Sequence, residues 1–423
     1  MRLGGRLAAA GEVLRDVEER RRPVADALKD WGLAHRFAGS GDRAAIGNIV
    51  YDALRRKRSI GWVMGSDEPE ALAEGALYRS WRFDARSLAE ALEGDQHAPA
   101  LRGGYDPSHL EDAPPAVRAD VPDWAVAELD ATFDGNWEAE AQALAERPPL
   151  DLRANTLKAS RERVVKELAR YGAEPAPHAP EGVRIAAGEG ASRVPNVTAE
   201  EGYRKGRFEV QDAGSQLVAL LGVPDRAGGQ VLDYCAGGGG KTLAIAAAMG
   251  NAGQVHAYDG DRQRLAPIHE RLARAGVRSV QVHRAGSDLS DLQGRMDTVL
   301  VDAPCTGTGT WRRRPDAKWR LRETTIERRH QEQDEVLDQA APHVRPGGAL
   351  VYVTCSLLAS ENGDRVQAFL RRNAEFEVVG TEGRSDAFDT TPKRDVGPSG
   401  RALTPLTTGT DGFFAAVLRR RDR

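Results

Sequence analysis

Gln230–Thr242 reads QVLDYCAGGGGKT, and LAIAAAMG follows it. A short apolar run ends at a cysteine, four glycines follow, and a lysine opens an alanine-rich stretch. The run predicts a strand, the glycines a tight turn, and KTLAIAAAMG a helix. The same grammar recurs downstream. QVHAYDGD (254–261) reads as a strand and RQRLAPIHERLARAGV (262–277) as a helix. SVQVHRAG (279–286) and MDTVLVDAPC (296–305) read as two further strands. ERRHQEQDEVLDQAAPHV (327–344) is a helix, RPGG a turn, and ALVYVTCS (349–356) a strand; TDGFFAAVLRRR (410–421) is the last strand. Alternation of this kind predicts an α/β unit, a doubly wound Rossmann-like parallel sheet over residues 209–423.

Upstream the pattern differs. The chain to about Gly94 is expected to be helical. SGDRAAIGNIVYDALRRKRSIGWVMG (40–65) sets Ile46, Ile49, Val50, Ala53 and Leu54 at helical spacing, with Ser40 or Asp42 as the cap. Gly94–Trp124 is rich in Gly, Pro and Asp and reads as a linker or a loop packed across another domain. PLDLRANTL (149–157) predicts a strand, SRERVVKELARYG (160–172) a capped helix ended by glycine, and GVRI and the residues around Phe208 further strands. Three units are therefore expected: an all-α unit with its linker over 1–140, a small α+β unit over 141–208, and the sheet unit over 209–423.

Composition narrows the class of partner. A net charge of −4 with 29% charged residues argues against a polybasic protein but leaves room for a local basic face. Arginines cluster at Arg20–Arg22, at Arg55, Arg56 and Arg58 around Lys57, and at Arg312–Arg314. Three cysteines without short paired spacing predict neither a metal site nor a disulfide framework. No run of about 18 apolar residues occurs, and MRLGGRLAAAGEVLRDVEE lacks a signal-peptide core. A cytoplasmic monomer with reduced thiols and no membrane partner is expected.

Two ligands could use the glycine turn. A nucleotide phosphate loop needs glycine five positions before the Gly that precedes its Lys, and that position is Cys235. S-adenosylmethionine needs a glycine turn for its amino-acid end and a carboxylate at the tip of the second strand for its ribose. Asp259 in HAYDGD supplies that carboxylate, and Asp288 in RAGSDL is expected to reach the adenine. The cofactor-binding set is thus Cys235, Ala236, Gly237, Gly238, Gly239, Gly240, Lys241, Asp259, Asp288 and Asp302, with Lys241 at the cofactor's carboxylate or the helix N-terminus.

Two cysteines, Cys305 and Cys355, lie just past strands that follow each other in one half of the sheet. Adjacent strands lie roughly 5 Å apart, so both thiols are expected to face one crevice. A thiolate beside a methyl donor suits a pyrimidine. Addition of sulfur to C6 makes C5 of cytosine nucleophilic, and two thiols suit attack and release. Asp302 would hydrogen-bond the exocyclic amine and N3. Residue chemistry alone leaves open which cysteine attacks. Arg312, Arg313 and Arg314, with Lys318, follow this loop and are expected to meet nucleic-acid phosphates, as are Arg55, Arg56 and Arg58. Trp311 and Trp319 would stack on bases or pack, and Glu361 and Asn362 would cap the next helix.

DYCAGGGGKT, DAPCTGTGTWRRRPDAKW, YVTCSLLASEN, VQDAGSQLVALL and DGFFAAVL together resemble the motifs of the Nol/Nop/Sun RNA (cytosine-5)-methyltransferases, over roughly the last two thirds of the chain. The resemblance implies Cys355 as nucleophile and Cys305 as the residue that assists release. The PLDLRANTL unit is similar to the family's small RNA-contacting domain. GDRAAIGNIVYDALRR looks like the NusB-type RNA-binding domain of its bacterial small-subunit rRNA members, which implies 16S rRNA as substrate, with tRNA or a noncatalytic assembly role as alternatives. One departure stands out: the family's Ala-Pro before the paired glycines is Gly237-Gly238 here, which predicts a looser turn and weaker cofactor binding.

Overall fold

The computed structural model describes residues 1–381 and 383–422. Helices Leu3–Arg20, Val24–Ala34, Ser40–Arg55, Lys57–Met64, Pro69–Trp81 and Ala85–Leu92 form the first unit. Its core gathers Leu7, Leu14, Ile46, Ile49, Val50, Leu72 and Leu77, so the spacing in SGDRAAIGNIVYDALRR marks a buried face. The Asp42 carboxylate accepts the Gly39 N–H at the start of that helix. The Gly/Pro-rich segment is a loop laid across this unit, with Tyr105 stacked on Tyr78.

Helices Asp123–Phe133 and Trp137–Ala143 do not join that core. Leu129, Phe133, Ala141 and Leu144 pack instead on Trp311 and Leu357 of the sheet unit. The expected first unit, 1–140, is therefore split by packing. Apolar residues beyond Ala113 bury themselves against the last unit.

The small unit is an antiparallel sheet of β1 (Leu150–Ala154), β2 (Ala173–Pro175), β3 (Gly182–Ile185) and β4 (Phe208–Val210), in the order β2-β3-β1-β4. Helix Arg161–Glu167, capped by Ser160, covers it. The β4 strand pairs with β1 through Val210, two residues past the expected boundary.

The large sheet contains β5 (Gln230–Asp233), β6 (Gln254–Ala257), β7 (Val280–Val282), β8 (Met296–Asp302), β9 (Val344–Thr354), β10 (Phe376–Val379), β11 (Arg394–Asp395), β12 (Arg401–Leu403) and β13 (Phe413–Arg420). The order β7-β6-β5-β8-β9 is parallel, as the alternation predicts. The remainder is antiparallel: β13 lies between β9 and β12 and also pairs with β10. RPGG, expected as a turn, lies within β9, where the pairing jumps from Met296–Val344 to Thr298–Ala349. Among the described residues no helix is long and apolar enough to cross a membrane.

Candidate active site

Strand order reverses between β5 and β8, and ligands bind outside the carboxyl ends of such sheets at that switch. The glycine turn leaves β5 there. Gly237 has φ +49° and Gly239 φ +80°, a region costly for side chains. A Cβ on Gly239 would lie 2.5 Å from Ile268, so its absence lets the two flanking helices close. The Gly237 N–H donates to Asp259 (2.9 Å), which also accepts the Asp261 N–H (2.8 Å). Asp259, buried at the tip of β6, thus sits against the turn. The Gly238 carbonyl accepts from Arg271 (2.6 Å), and Arg271 pairs with Glu209 of β4 (3.1 Å). Arg271 so links the turn to the small sheet.

Beneath the turn, Asp233 is fully buried. Thr242 donates to one of its oxygens (2.6 Å), and the other has no partner among the described residues. Burial pushes its carboxyl up to about 7, with Asp302 and Asp259 adding to the rise while the Thr242 bond and Lys241 oppose it. A carboxyl raised in this way binds its proton more tightly folded than unfolded. The stability it lends is complete below about pH 4 and is lost as pH climbs to about 7, on the order of 4 kcal/mol at most. Asp233→Asn should flatten that dependence, which a series of thermal melts from about pH 4 to about pH 8 would read. Burial, then Asp259, Asp302 and Asp233, likewise push the neighbouring Cys235 thiol well up, so Cys235 stays a neutral wall of the turn.

The turn, the helix Gly240–Ala248 that it opens, Asp259 and the unpartnered Asp233 oxygen fit a cofactor with a charged amino-acid end and a ribose. Asp288 is placed differently. It is exposed in the loop after β7 and accepts from the Ser290 N–H and hydroxyl (2.9 Å each), a local turn. Lys241 does not point to the turn: its ammonium pairs with Asp302 (2.7 Å). Burial opposes that charge, but Asp302, then the Cys355 and Asp233 charges, hold it above its ordinary range.

The two thiols do come together. The β8 and β9 strands are paired through Asp302 and Val353, and the Cys305 and Cys355 sulfurs lie 3.4 Å apart. The Cys355 contact, then burial, raise the Cys305 thiol well above its usual value. The Cys355 carbonyl accepts the Gly309 N–H (2.9 Å), and Thr308 donates to or accepts from Ser356 (3.1 Å), which locks the two cysteine loops together.

Glu361 and Asn362 are not caps. Helix Gly363–Arg372 receives no side-chain bond at its start. Asn362 accepts from Thr354 (2.6 Å) and donates to the Ser356 carbonyl (3.0 Å), while Glu361 turns to the other loop. Gln333, to which no role was assigned from sequence, donates to Glu361 and to the Pro304 carbonyl. An uninterrupted helical pattern gives no sign of such a contact.

The expected RNA-binding cations need correction. Arg312 is buried against Asp411 (2.5 Å) and Arg313 pairs with Asp411 (2.5 Å) and Asp212 (2.9 Å). Lys318 is buried, donates to the Arg55 carbonyl (3.1 Å) and is lowered to about 8 by burial, with Asp120 opposing. Arg55 donates to the Arg312 carbonyl (2.9 Å) and pairs with Asp52; Arg56 pairs with Glu146 and Arg58 with Asp123. Arg55, Arg56, Arg58 and Lys318 thus join the helical unit to later segments, while Arg312 and Arg313 pair with carboxylates of the sheet unit. Arg314 differs, being exposed with no ion pair among the described residues. Trp311 packs edge-on to Trp124 and Trp319 donates to the Leu54 carbonyl (2.7 Å), so both are structural. Among the described residues no group of three or more metal-ligating side chains is gathered.

Residues 221–419 match the family described as 16S rRNA methyltransferase RsmB/F, and residues 121–190 its ferredoxin-like domain. The ribosomal RNA small subunit methyltransferase B of Escherichia coli (strain SMS-3-5 / SECEC) is 36% identical over 301 residues, 70% of this chain; the match spans 66% of that relative's length. That of Photorhabdus laumondii is 34% identical over 304 residues, 71% of this chain and 66% of the relative. Among solved structures, the one titled PH0851 is 25% identical with a TM-score of 0.72 and covers 99% of both chains. A methyltransferase homologue from Pyrococcus horikoshii is 28% identical with a TM-score of 0.59, covering 74% of this chain and 99% of its own.

Proposed function

The chain belongs to the 16S rRNA methyltransferase RsmB/F family, and we propose on that premise that it methylates C5 of a cytosine in RNA, 16S rRNA first of all, with S-adenosylmethionine as donor. One observation carries the reading. Two thiols lie 3.4 Å apart beside a lysine–aspartate pair and a glycine turn backed by a carboxylate. A protein that only held RNA during assembly would have no use for paired thiols at the mouth of a cofactor crevice.

The cofactor, when bound, supplies an electrophilic methyl group. The chain does the rest. The backbone of Gly237–Gly240 and the Asp259 carboxylate hold and orient the donor. The Cys355 thiolate adds to C6 of cytosine, beside the Lys241–Asp302 pair. The ring's C5 then carries the electron density that accepts the methyl group. Asp302 accepts a hydrogen bond from the exocyclic amine and is held in place by Lys241. Release follows: the C5 proton leaves, its pair forms the C5–C6 double bond, and the C6–S pair returns to Cys355. The base is reached unstacked or single-stranded, and Arg314, exposed and without an ion pair among the described residues, meets its phosphates.

S-adenosylmethionine should bind without RNA. Asp259→Ala should weaken that binding by about 1–3 kcal/mol, the cost of a lost charged hydrogen bond. Calorimetry reads both values; tight binding of ATP with none of S-adenosylmethionine would overturn the assignment of the turn.

A further inference from the structure

We propose that Glu361 is a positioning residue that acts through Cys305: it fixes the loop Pro304–Thr306 so that the Cys305 thiol lies against the Cys355 sulfur when that sulfur is expelled. The inference rests on the reaction proposed above and concerns its second half.

Glu361 is wholly buried, and a charge in that position is stable only if its oxygens are fully bonded. Its donors are the Thr306 N–H (2.8 Å), the Thr306 hydroxyl (2.5 Å) and the Gln333 amide (3.0 Å). Two of the three come from the residue after Cys305. The third, Gln333, also binds the carbonyl of Pro304 (2.9 Å), the residue before Cys305. Cys305 is thus held on both sides from a single point. The adjoining residue Asn362 holds Thr354 and Ser356, which flank Cys355 in the same way. Two consecutive residues of one turn therefore set the separation of the two sulfurs, and Tyr352 fixes that turn by donating to the Glu361 carbonyl (2.7 Å).

The arrangement separates two thiols of like chemistry. After the Cys355 contact and burial, the Glu361 charge adds to the rise of the Cys305 thiol, so Cys305 keeps its proton. In release the C5 proton passes to solvent and its pair forms the C5–C6 double bond. The C6–S bond breaks with its pair on Cys355, and the Cys305 S–H donates a hydrogen bond to that forming thiolate. A loop that drifts withdraws the donor.

Glu361→Gln keeps the shape, loses the charge and sets an amide against existing donors. With RNA and S-adenosylmethionine it should accumulate a denaturation-resistant protein–RNA adduct, with release slowed about 100-fold, the usual cost of a small misplacement. Methyl transfer into the adduct should fall less than about tenfold. The fall-off of release with pH should move to lower pH, because Cys305 loses its proton more readily. Thr306→Val, which removes one donor from an otherwise intact turn, should show the same pattern in weaker form and carries the test if Glu361→Gln does not fold. A normal Cys305→Ala adduct together with wild-type release and pH profile in both variants would overturn the inference. So would equal losses of attack and release, which would make Glu361 a scaffold for the whole site. Absence of any adduct in Cys305→Ala as well would overturn the reaction itself, and this inference with it.

Discussion

Cys355→Ala should abolish methyl transfer and all covalent attachment to RNA, whereas Cys305→Ala should trap a protein–RNA adduct: that asymmetry is the largest effect expected of any substitution in this chain. The two sulfurs are 3.4 Å apart at the ends of β8 and β9, so neither is excluded by distance from the same base. What separates them is environment. Cys305 is pushed up by the Cys355 contact and burial and remains a thiol, while Cys355 shares its surroundings with the Lys241 ammonium. Loss of the nucleophile should cost on the order of 10⁴-fold or more in rate. Loss of Cys305 leaves attack and methyl transfer possible and impairs the departure of Cys355. On a denaturing gel the adduct is a band shifted upward that ribonuclease removes. An adduct from Cys355→Ala and none from Cys305→Ala would exchange the two roles; normal turnover in both would reduce the pair to packing.

Lys241→Met should come next in size. Lys241 is almost fully buried and pairs with an Asp302 carboxylate that keeps about a third of its surface exposed. Removing the ammonium leaves a charge that water can reach in part, so the stability cost is modest, about 1–2 kcal/mol after allowance for screening. The cost to chemistry is larger. Asp302 loses the cation that holds it, and a positive charge is removed from the reacting site. Loss of one such preorganised group costs about 100- to 1000-fold. Single-turnover methyl transfer at saturating cofactor reads this, with a melt on the same sample. A rate within threefold of wild type would remove the pair from the reacting site.

How much of this could be read from residue order alone depends on the range of the interactions. The strand–turn–helix grammar around QVLDYCAGGGGKT is local, and so is the interval from the glycine turn to Asp259; the structure brings both together. Neighbouring β8 and β9 follow from doubly wound topology, and with them the convergence of Cys305 and Cys355. The direction of β13 does not, because an apolar run packs equally well parallel or antiparallel to β9. The arginine clusters misled for a related reason. Arg312 and Arg313 find their carboxylates at Asp212 and Asp411, about a hundred residues away on either side, and Lys318 is covered by a helix near the other end of the chain. A run of cations is visible in sequence, whereas its distant counterions are not. Glu361 and Asn362 precede a helix, so local rules assigned them to its cap; the tertiary contacts to Thr306 and Thr354 prevail because they bond buried groups that would otherwise be unpaired.

The most direct measurement of the central claim is the identity of the nucleoside made. Small-subunit rRNA lacking modification would be incubated with the full chain and S-adenosylmethionine labelled in its methyl group, then digested to nucleosides and separated. Label in 5-methylcytidine, absent when Cys355→Ala replaces the wild type, is the predicted result; label in any other nucleoside, or 5-methylcytidine made equally well without Cys355, would contradict it.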